Sequence, residues 1–322
     1  MRAVQVVRLD GPSGVDVVEV PEPTATDGQL LVDVHAVGVS FPDLLLSGGQ
    51  YQLKPEPPFQ LGVDFAGVVR EAPAGSGFAA GERVACCLPY GGGADVVAIG
   101  AESVFPLPDT MSFEQGAALP MNYLTAQFAL ATRAQLRKDE TVLVHGAAGG
   151  VGTATLQVAK GYGARTIAVV SSEEKAKVAR DAGADEAVLV DGFLASVKEL
   201  TGGKGVDVVV DVVGGDLMTD SLRSLAPLGR LLVVGFAAGA IPEVRVNRLL
   251  LNNIDVRGVG WGAYAMVRQG YLRQQWDELL PMIASGAVNP PVGTSYPVAD
   301  VRRALADLAE RRAVGKSVLT FK

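Results

Sequence analysis

Residues 145–160 read HGAAGGVGTATLQVAK, directly after the apolar run TVLV at 141–144. Gly146, Gly149 and Gly152 recur every third residue, G-x-x-G-x-x-G, between a predicted strand and a predicted helix. Such a turn presents backbone N–H groups, and the positive end of a helix dipole, to a pyrophosphate. Two of the glycines let the backbone approach the ligand, and Gly152 lets the helix pack on its strand. Gly150 and Val151 belong to the same anion-facing turn. The alternative is a glycine turn with a purely structural role; the strand–turn–helix context favours a dinucleotide site.

Around this turn, residues 140 to about 255 contain six short apolar runs: TVLVHGA, RTIAVVS, EAVLV, DVVVDVV, RLLVVGF and IDVRGVG. Most are separated by helical sequence such as SEEKAKVARDAG, a pattern that predicts a doubly wound parallel sheet. Residues 1 to roughly 110 instead read as strands and turns, with runs such as QLLVDVHAVGVS punctuated by Pro, Gly and Asp. At Ser112 the character changes: Ser112 and Gln115 have capping-box spacing, and Pro120 should break or kink the helical run that starts there, giving two helices. After residue 256 come a helix rich in Gln, Leu and Trp and a tail that should return to the first domain. The expected division is 1–120, a mostly-β domain; 121–256, a dinucleotide-binding domain; and 257–322, a returning C-terminal segment. The fold class is therefore α/β.

The chain has 322 residues and a formal charge of −7, which favours solubility and argues against a nucleic-acid surface. No apolar run reaches bilayer length, and MRAVQVVRLD alternates like a strand instead of offering a signal-peptide core. Cys86 and Cys87 are adjacent and cannot staple the fold. A reducing, cytoplasmic setting is expected.

The strand RTIAVV ends at Ser171 and Ser172, with Lys175 close behind. No carboxylate stands at the strand tip, where it would hold an NAD ribose and repel a 2′-phosphate. Two hydroxyls and an ammonium suit that phosphate, so the cofactor reads as NADPH. A capping box formed by Ser171 and Glu174 is the competing explanation, and Glu173 and Glu174 dilute the positive charge.

Together with MRAVQV, GVSFPDLLLSGGQY, LGVDFAGVV, ALPMNYLTAQFAL, GGKGVDVVVDVVGG, GRLLVVGFAAG and GKSVLTF, the glycine turn resembles the medium-chain dehydrogenase/reductase superfamily. The narrower resemblance is to its zinc-free quinone oxidoreductases, the group that includes zeta-crystallin, and it covers essentially the whole chain. It implies a GroES-like mostly-β catalytic domain, a Rossmann domain, a nicotinamide in the cleft between them, and a homodimer through the Rossmann sheets. Zinc members carry a Cys and a His-Glu pair where this chain has Ser40, Val63 and Asp64, too few ligands for a catalytic zinc. The four-cysteine lobe of a structural zinc is also absent, so no metal is expected.

Without a Lewis acid, the natural acceptors are already activated: quinones or conjugated enones that take a hydride directly. Within SFPDLLLSGGQY, relatives have Asn first and Tyr sixth and last; here these are Ser40, Leu45 and Tyr51. The resemblance makes Tyr51 a candidate proton donor, or else a Tyr packing a loop over the cleft. Ser40 is a weaker donor near the nicotinamide ribose. Thr125 in NYLTA matches a Thr beside the nicotinamide. Gly214 and the Gly235–Phe236–Ala237 turn lie where a Rossmann cofactor runs. Trp261 is expected to wall the acceptor pocket or to anchor the domains. Lys316 of the GK pair matches a position near the cofactor. A Tyr that relatives place near the 2′-phosphate, around Val190, is missing.

His35 and His145 read as satisfied core residues and Asp43 as a helix N-cap. Asp207 and Asp211 lack a spaced partner, and the two cysteines read as inert. The leading expectation is an NADPH-dependent quinone reductase acting on small neutral acceptors. An alkenal, enone or enoyl-thioester reductase is the near alternative, and a non-catalytic NADPH-binding, crystallin-like protein the distant one.

Overall fold

The structure is a computed structural model describing residues 1–322. It divides into two compact units: Met1–Met121, Arg268–Trp276 and Pro290–Lys322 form the first, Asn122–Val267 and Asp277–Asn289 the second.

The first unit is built on antiparallel strands. A seven-stranded sheet runs in the order Val292–Pro297, Lys316–Thr320, Gln29–Gly38, Asp64–Glu71, Arg83–Cys87 and Val104–Pro106, with Val96–Gly100 also paired to Gln29–Gly38. A smaller sheet places Arg2–Val6 between Val15–Glu19 and Phe59–Gln60. The alternating runs turn Leu30, Val32, Val34, Phe65 and Ile99 into one core, the outcome expected of period-2 patterning. Helix Val301–Ala309 covers that core with Val301, Ala304 and Leu305. This is the mostly-β, GroES-like architecture.

The second unit holds six parallel strands in the order Glu186–Leu189, Arg165–Val170, Thr141–His145, Val206–Asp211, Leu225–Val233 and Asp255–Gly258. In chain order that is third, second, first, fourth, fifth, sixth, the doubly wound Rossmann arrangement. The strand order reverses between Thr141–His145 and Val206–Asp211, and ligands of such sheets bind where the order reverses, beyond the carboxyl ends of the strands. Leu143, Ile167, Val169, Val209 and Leu231 make the buried centre.

Two expectations are corrected. The C-terminal segment does not return whole from residue 257: residues through Val267 and the stretch Asp277–Asn289 belong to the second unit. Helix Tyr271–Ala284 explains the split. Trp276 stacks on Phe105 of the first unit, centroids 4.7 Å apart. Glu278 instead accepts a 2.6 Å bond from Gln127 of the second. The pair of helices expected around Pro120 is likewise modified. Ser112 and Gln115 do cap helix Phe113–Ala118 reciprocally. After it the chain widens into π-helical turns at Pro120–Leu124 and Phe128–Ala134 around the single α-turn Thr125–Gln127. Pro120 has no N–H to give, and a wider register accommodates the missing bond.

Candidate cofactor site and active-site residues

The glycine turn of the second unit follows strand Thr141–His145 and opens helix Gly150–Gly161. Gly146 sits at φ +63°, a conformation that strains any L side chain. Gly152 is required for a different reason: a Cβ there would lie 2.2 Å from the Gly146 carbonyl oxygen. Gly149 has room, since its Cβ would meet only that oxygen, at 3.4 Å. A Cβ on Gly150 would meet the Asn122 amide nitrogen at 2.6 Å. The first helical turn carries no acidic residue, so no carboxylate of that turn would compete with an anion for the amides of Gly150, Val151 and Gly152.

At the tip of Arg165–Val170, Ser172 is the N-cap of helix Glu173–Asp181 and accepts a bond from the Lys175 N–H at 3.3 Å. Ser171 is therefore not the capping residue, and the Ser171–Glu174 box is not formed. Instead Lys175 Nζ donates to Ser171 Oγ at 3.3 Å, so hydroxyl and ammonium converge. Glu173 is turned to Arg180, 3.6 Å away.

Thr125 is buried at the single α-turn between the two π-helical segments. Gly214 adopts φ +69°, ψ −148°, a region essentially reserved for glycine. The Gly235–Phe236–Ala237 turn follows strand Leu225–Val233 and bonds back to the residues before Gly214, Ala237 N–H to Val212 O at 3.1 Å. Trp261 is buried at the start of helix Trp261–Ala265.

In the first unit, Ser40 lies between strand Gln29–Gly38 and helix Phe41–Ser47. Its hydroxyl donates to Asp64 Oδ2 at 3.0 Å and accepts from Lys316 Nζ. Lys316 also donates to Asp64 Oδ2 at 2.8 Å, and the Met121 N–H donates to Asp64 Oδ1 at 2.7 Å. All three side chains are buried. The bare Cα of Gly38 makes the lysine slot: a Cβ there would come within 2.7 Å of Lys316 Cε. Two expectations change. Ser40 gives its proton to a carboxylate and has none for a ribose. Lys316 is an internal counter-ion and not an open cation awaiting a cofactor.

Asp43 is not the N-cap either. It stands three residues inside and accepts from the N–H groups of Ser40, at 2.9 Å, and Gly62, at 3.0 Å. Burial pushes its carboxyl up to about 6, against the pull of those two N–H groups and of Lys316. Tyr51 is half-buried against the core of the first unit, and its phenol has no partner within the protein. Burial raises the Tyr51 pKa further, with Cys87 and Asp43 adding to the shift, so the phenol holds its proton through neutral pH. Cys86 and Cys87 are buried with their thiols pushed well up by desolvation, as expected of inert cysteines.

His35 tilts on the Phe113 ring, with centroids 4.1 Å apart. His145 is only half satisfied. Its Nε2 meets Ser221 Oγ at 2.8 Å, while Nδ1 is buried without a partner. Asp211, set aside on sequence, accepts two backbone N–H bonds at the turn leading to Gly214. Its signal was present in DVVGG, since an Asp bonding the amides two and three residues on is an Asx-turn spacing. The Asp64–Lys316 pairing spans 252 residues and has no local signal.

Residues 150–285 match the zinc-binding dehydrogenase family and residues 26–109 the alcohol dehydrogenase GroES-like domain. The rat quinone oxidoreductase-like protein 2 is 38% identical over 91% of this chain and 85% of its own length. A probable oxidoreductase from Mycobacterium abscessus superposes with a TM-score of 0.91 at 44% identity, covering 99% of this chain and 98% of that one. The Escherichia coli quinone oxidoreductase, solved in complex with NADPH, superposes with a TM-score of 0.89 at 31% identity, covering 99% and 100%. The zinc in the first family's name finds no donor set here. No three His, Cys, Asp or Glu side chains cluster, and the Asp64 carboxylate already holds an ammonium that would repel a cation.

Proposed function

This chain belongs to the zeta-crystallin-like quinone oxidoreductases of the medium-chain dehydrogenase/reductase superfamily, and from that premise we propose that it is a zinc-independent, NADPH-dependent reductase of small quinones. The observation that carries the cofactor half of this reading is the Lys175–Ser171 convergence at a strand tip free of carboxylate. The open glycine turn ahead of helix Gly150–Gly161 supports it.

NADPH, when bound, supplies the hydride. The protein's own share is to seat the pyrophosphate on the amides of Gly150, Val151 and Gly152 and to hold the 2′-phosphate with Ser171, Ser172 and Lys175. Thr125, Gly214 and the Gly235–Phe236–Ala237 turn orient the nicotinamide end. Trp261 is the proposed aromatic wall for the acceptor. With the Ser40 hydroxyl committed to Asp64, Tyr51 is the proposed proton donor. Its free, protonated phenol also favours one second reading, reduction of an enone or enoyl thioester, where a carbon must be protonated. A homodimer through the outer strand Asp255–Gly258 completes the proposal; Leu250 and Leu251, three-quarters exposed, precede that strand.

The test monitors oxidation of NADPH, with NADH in parallel, against a small quinone, an enone and crotonyl-CoA, in wild type and Tyr51→Phe. Turnover of the quinone with NADPH supports the leading reading. If the enone or crotonyl-CoA is faster, and Tyr51→Phe slows it by about a hundredfold, the protein is an alkene reductase. NADPH binding with no turnover of any acceptor sinks both.

A further inference from the structure

Asp211 ends strand Val206–Asp211 and is 1% exposed. One oxygen of its carboxylate, Oδ1, accepts the N–H of Val213 at 2.8 Å and of Gly214 at 2.9 Å. Its carbonyl accepts the N–H of Val234 at 2.9 Å. The turn it holds then bonds along the next loop: Ala237 N–H to Val212 O at 3.1 Å, Ala238 N–H to Val213 O at 2.9 Å and Gly215 N–H to Ala240 O at 3.2 Å. On its other side, a Cβ on Gly146 would come 2.8 Å from Val212 Cγ2, so the first glycine of the pyrophosphate turn rests on the same residues. The three loops at the carboxyl ends of the first, fourth and fifth strands therefore meet at Val212–Gly215.

Gly214 needs an external hold to stay at φ +69°, ψ −148°, because an unrestrained glycine samples many other conformations. Here two backbone N–H groups converge on one side-chain oxygen, which ties both amides of the turn to a single fixed point. We propose that Asp211 is the positioning residue of the dinucleotide site. Its carboxylate locks the turn on which the other two cofactor loops are built, and so sets dinucleotide affinity through backbone amides alone. What it supplies is an acceptor at one point in space, not a negative charge. The inference rests on the reading of the cofactor as NADPH.

The experiment measures NADPH Kd and Tm on the full chain for wild type, Asp211→Asn, Asp211→Glu and Asp211→Ala. Val209→Ala, in the core of the same strand, is the stability control. Asn keeps an acceptor oxygen at the Oδ1 position and should bind within about threefold of wild type. Ala removes both bonds and should bind at least about tenfold more weakly. Glu keeps the charge, displaces the oxygen and should resemble Ala. Val209→Ala should lower Tm and leave Kd unchanged. Should the Ala variant fail to fold, the Asn–Glu contrast decides alone. Glu binding like wild type, or Asn as weakly as Ala, overturns the proposal. A wild type that does not bind NADPH defeats the cofactor reading itself and takes the proposal with it, an outcome distinct from equal affinities across the series.

Discussion

Lys316 Nζ lies 2.8 Å from Asp64 Oδ2, and both side chains are almost wholly enclosed. They bridge strands Lys316–Thr320 and Asp64–Glu71, which flank Gln29–Gly38 in the first sheet. The Ser40 hydroxyl closes the triangle. An internal ammonium thus contacts both Ser40 and Asp64, two of the three positions, with Val63, at which a catalytic zinc was not expected. Charge neutralisation at this point is done by the chain itself.

Removing one member of such a pair leaves a buried charge without compensation. Lys316→Met should cost about 3–5 kcal/mol. Adding Asp64→Asn to that variant should return much of the loss, because both charges are then gone. Urea denaturation of the two variants checks this; equal losses would show that the pair is not coupled.

Lys175 is the one ammonium that converges with a hydroxyl at the proposed 2′-phosphate position. Lys175→Ala should weaken NADPH by about tenfold, the lower end for a charged hydrogen bond at a solvated site, and leave NADH unchanged. The ratio of kcat/KM for the two cofactors reads it directly. A uniform loss for both would place the 2′-phosphate elsewhere.

Asp43 makes stability fall with rising pH. Its carboxyl is raised from the ordinary 3.8 to about 6, so the folded state holds the proton more tightly than the unfolded chain. The resulting stabilisation is complete below pH 3.8 and lost as pH rises through about 6, roughly 2–3 kcal/mol in all. The carboxyls of Asp33 and Glu140, held low beside Arg70 and Arg230, act in the opposite sense, so the comparison must be differential. Between pH 4 and 7, Asp43→Asn should lack this decline relative to wild type. Parallel stability–pH curves would remove Asp43 from the account.

Leu250 and Leu251, 77% and 74% exposed, lie on helix Asn247–Asn252 just before the outer strand Asp255–Gly258. Adjacent exposed leucines beside an unpaired strand edge are what a self-association surface requires. Leu250→Glu with Leu251→Glu should convert a dimer to a monomer in analytical ultracentrifugation. Unchanged sedimentation would move the interface to another face.

Local sequence was enough for whatever depends on neighbouring residues. Six β-branched runs with intervening helical stretches specify a parallel sheet, because a strand buried on both faces has no polar alternation to hide. Gly146 and Gly152 were legible as obligatory glycines of a strand-to-helix turn, since backbone sterics act over a few residues. Long-range packing was needed for everything that depends on which side chain meets which across the fold. Ser40 read as a donor near the nicotinamide ribose until Asp64 and Lys316, distant in the chain, claimed its hydroxyl. Lys316 read as a cofactor contact until the slot over Gly38 enclosed it. Asp211 seemed idle although its Asx spacing was visible. Only the packing of three loops on its turn gives that spacing a consequence, because a hydrogen bond matters to function according to what it holds in place.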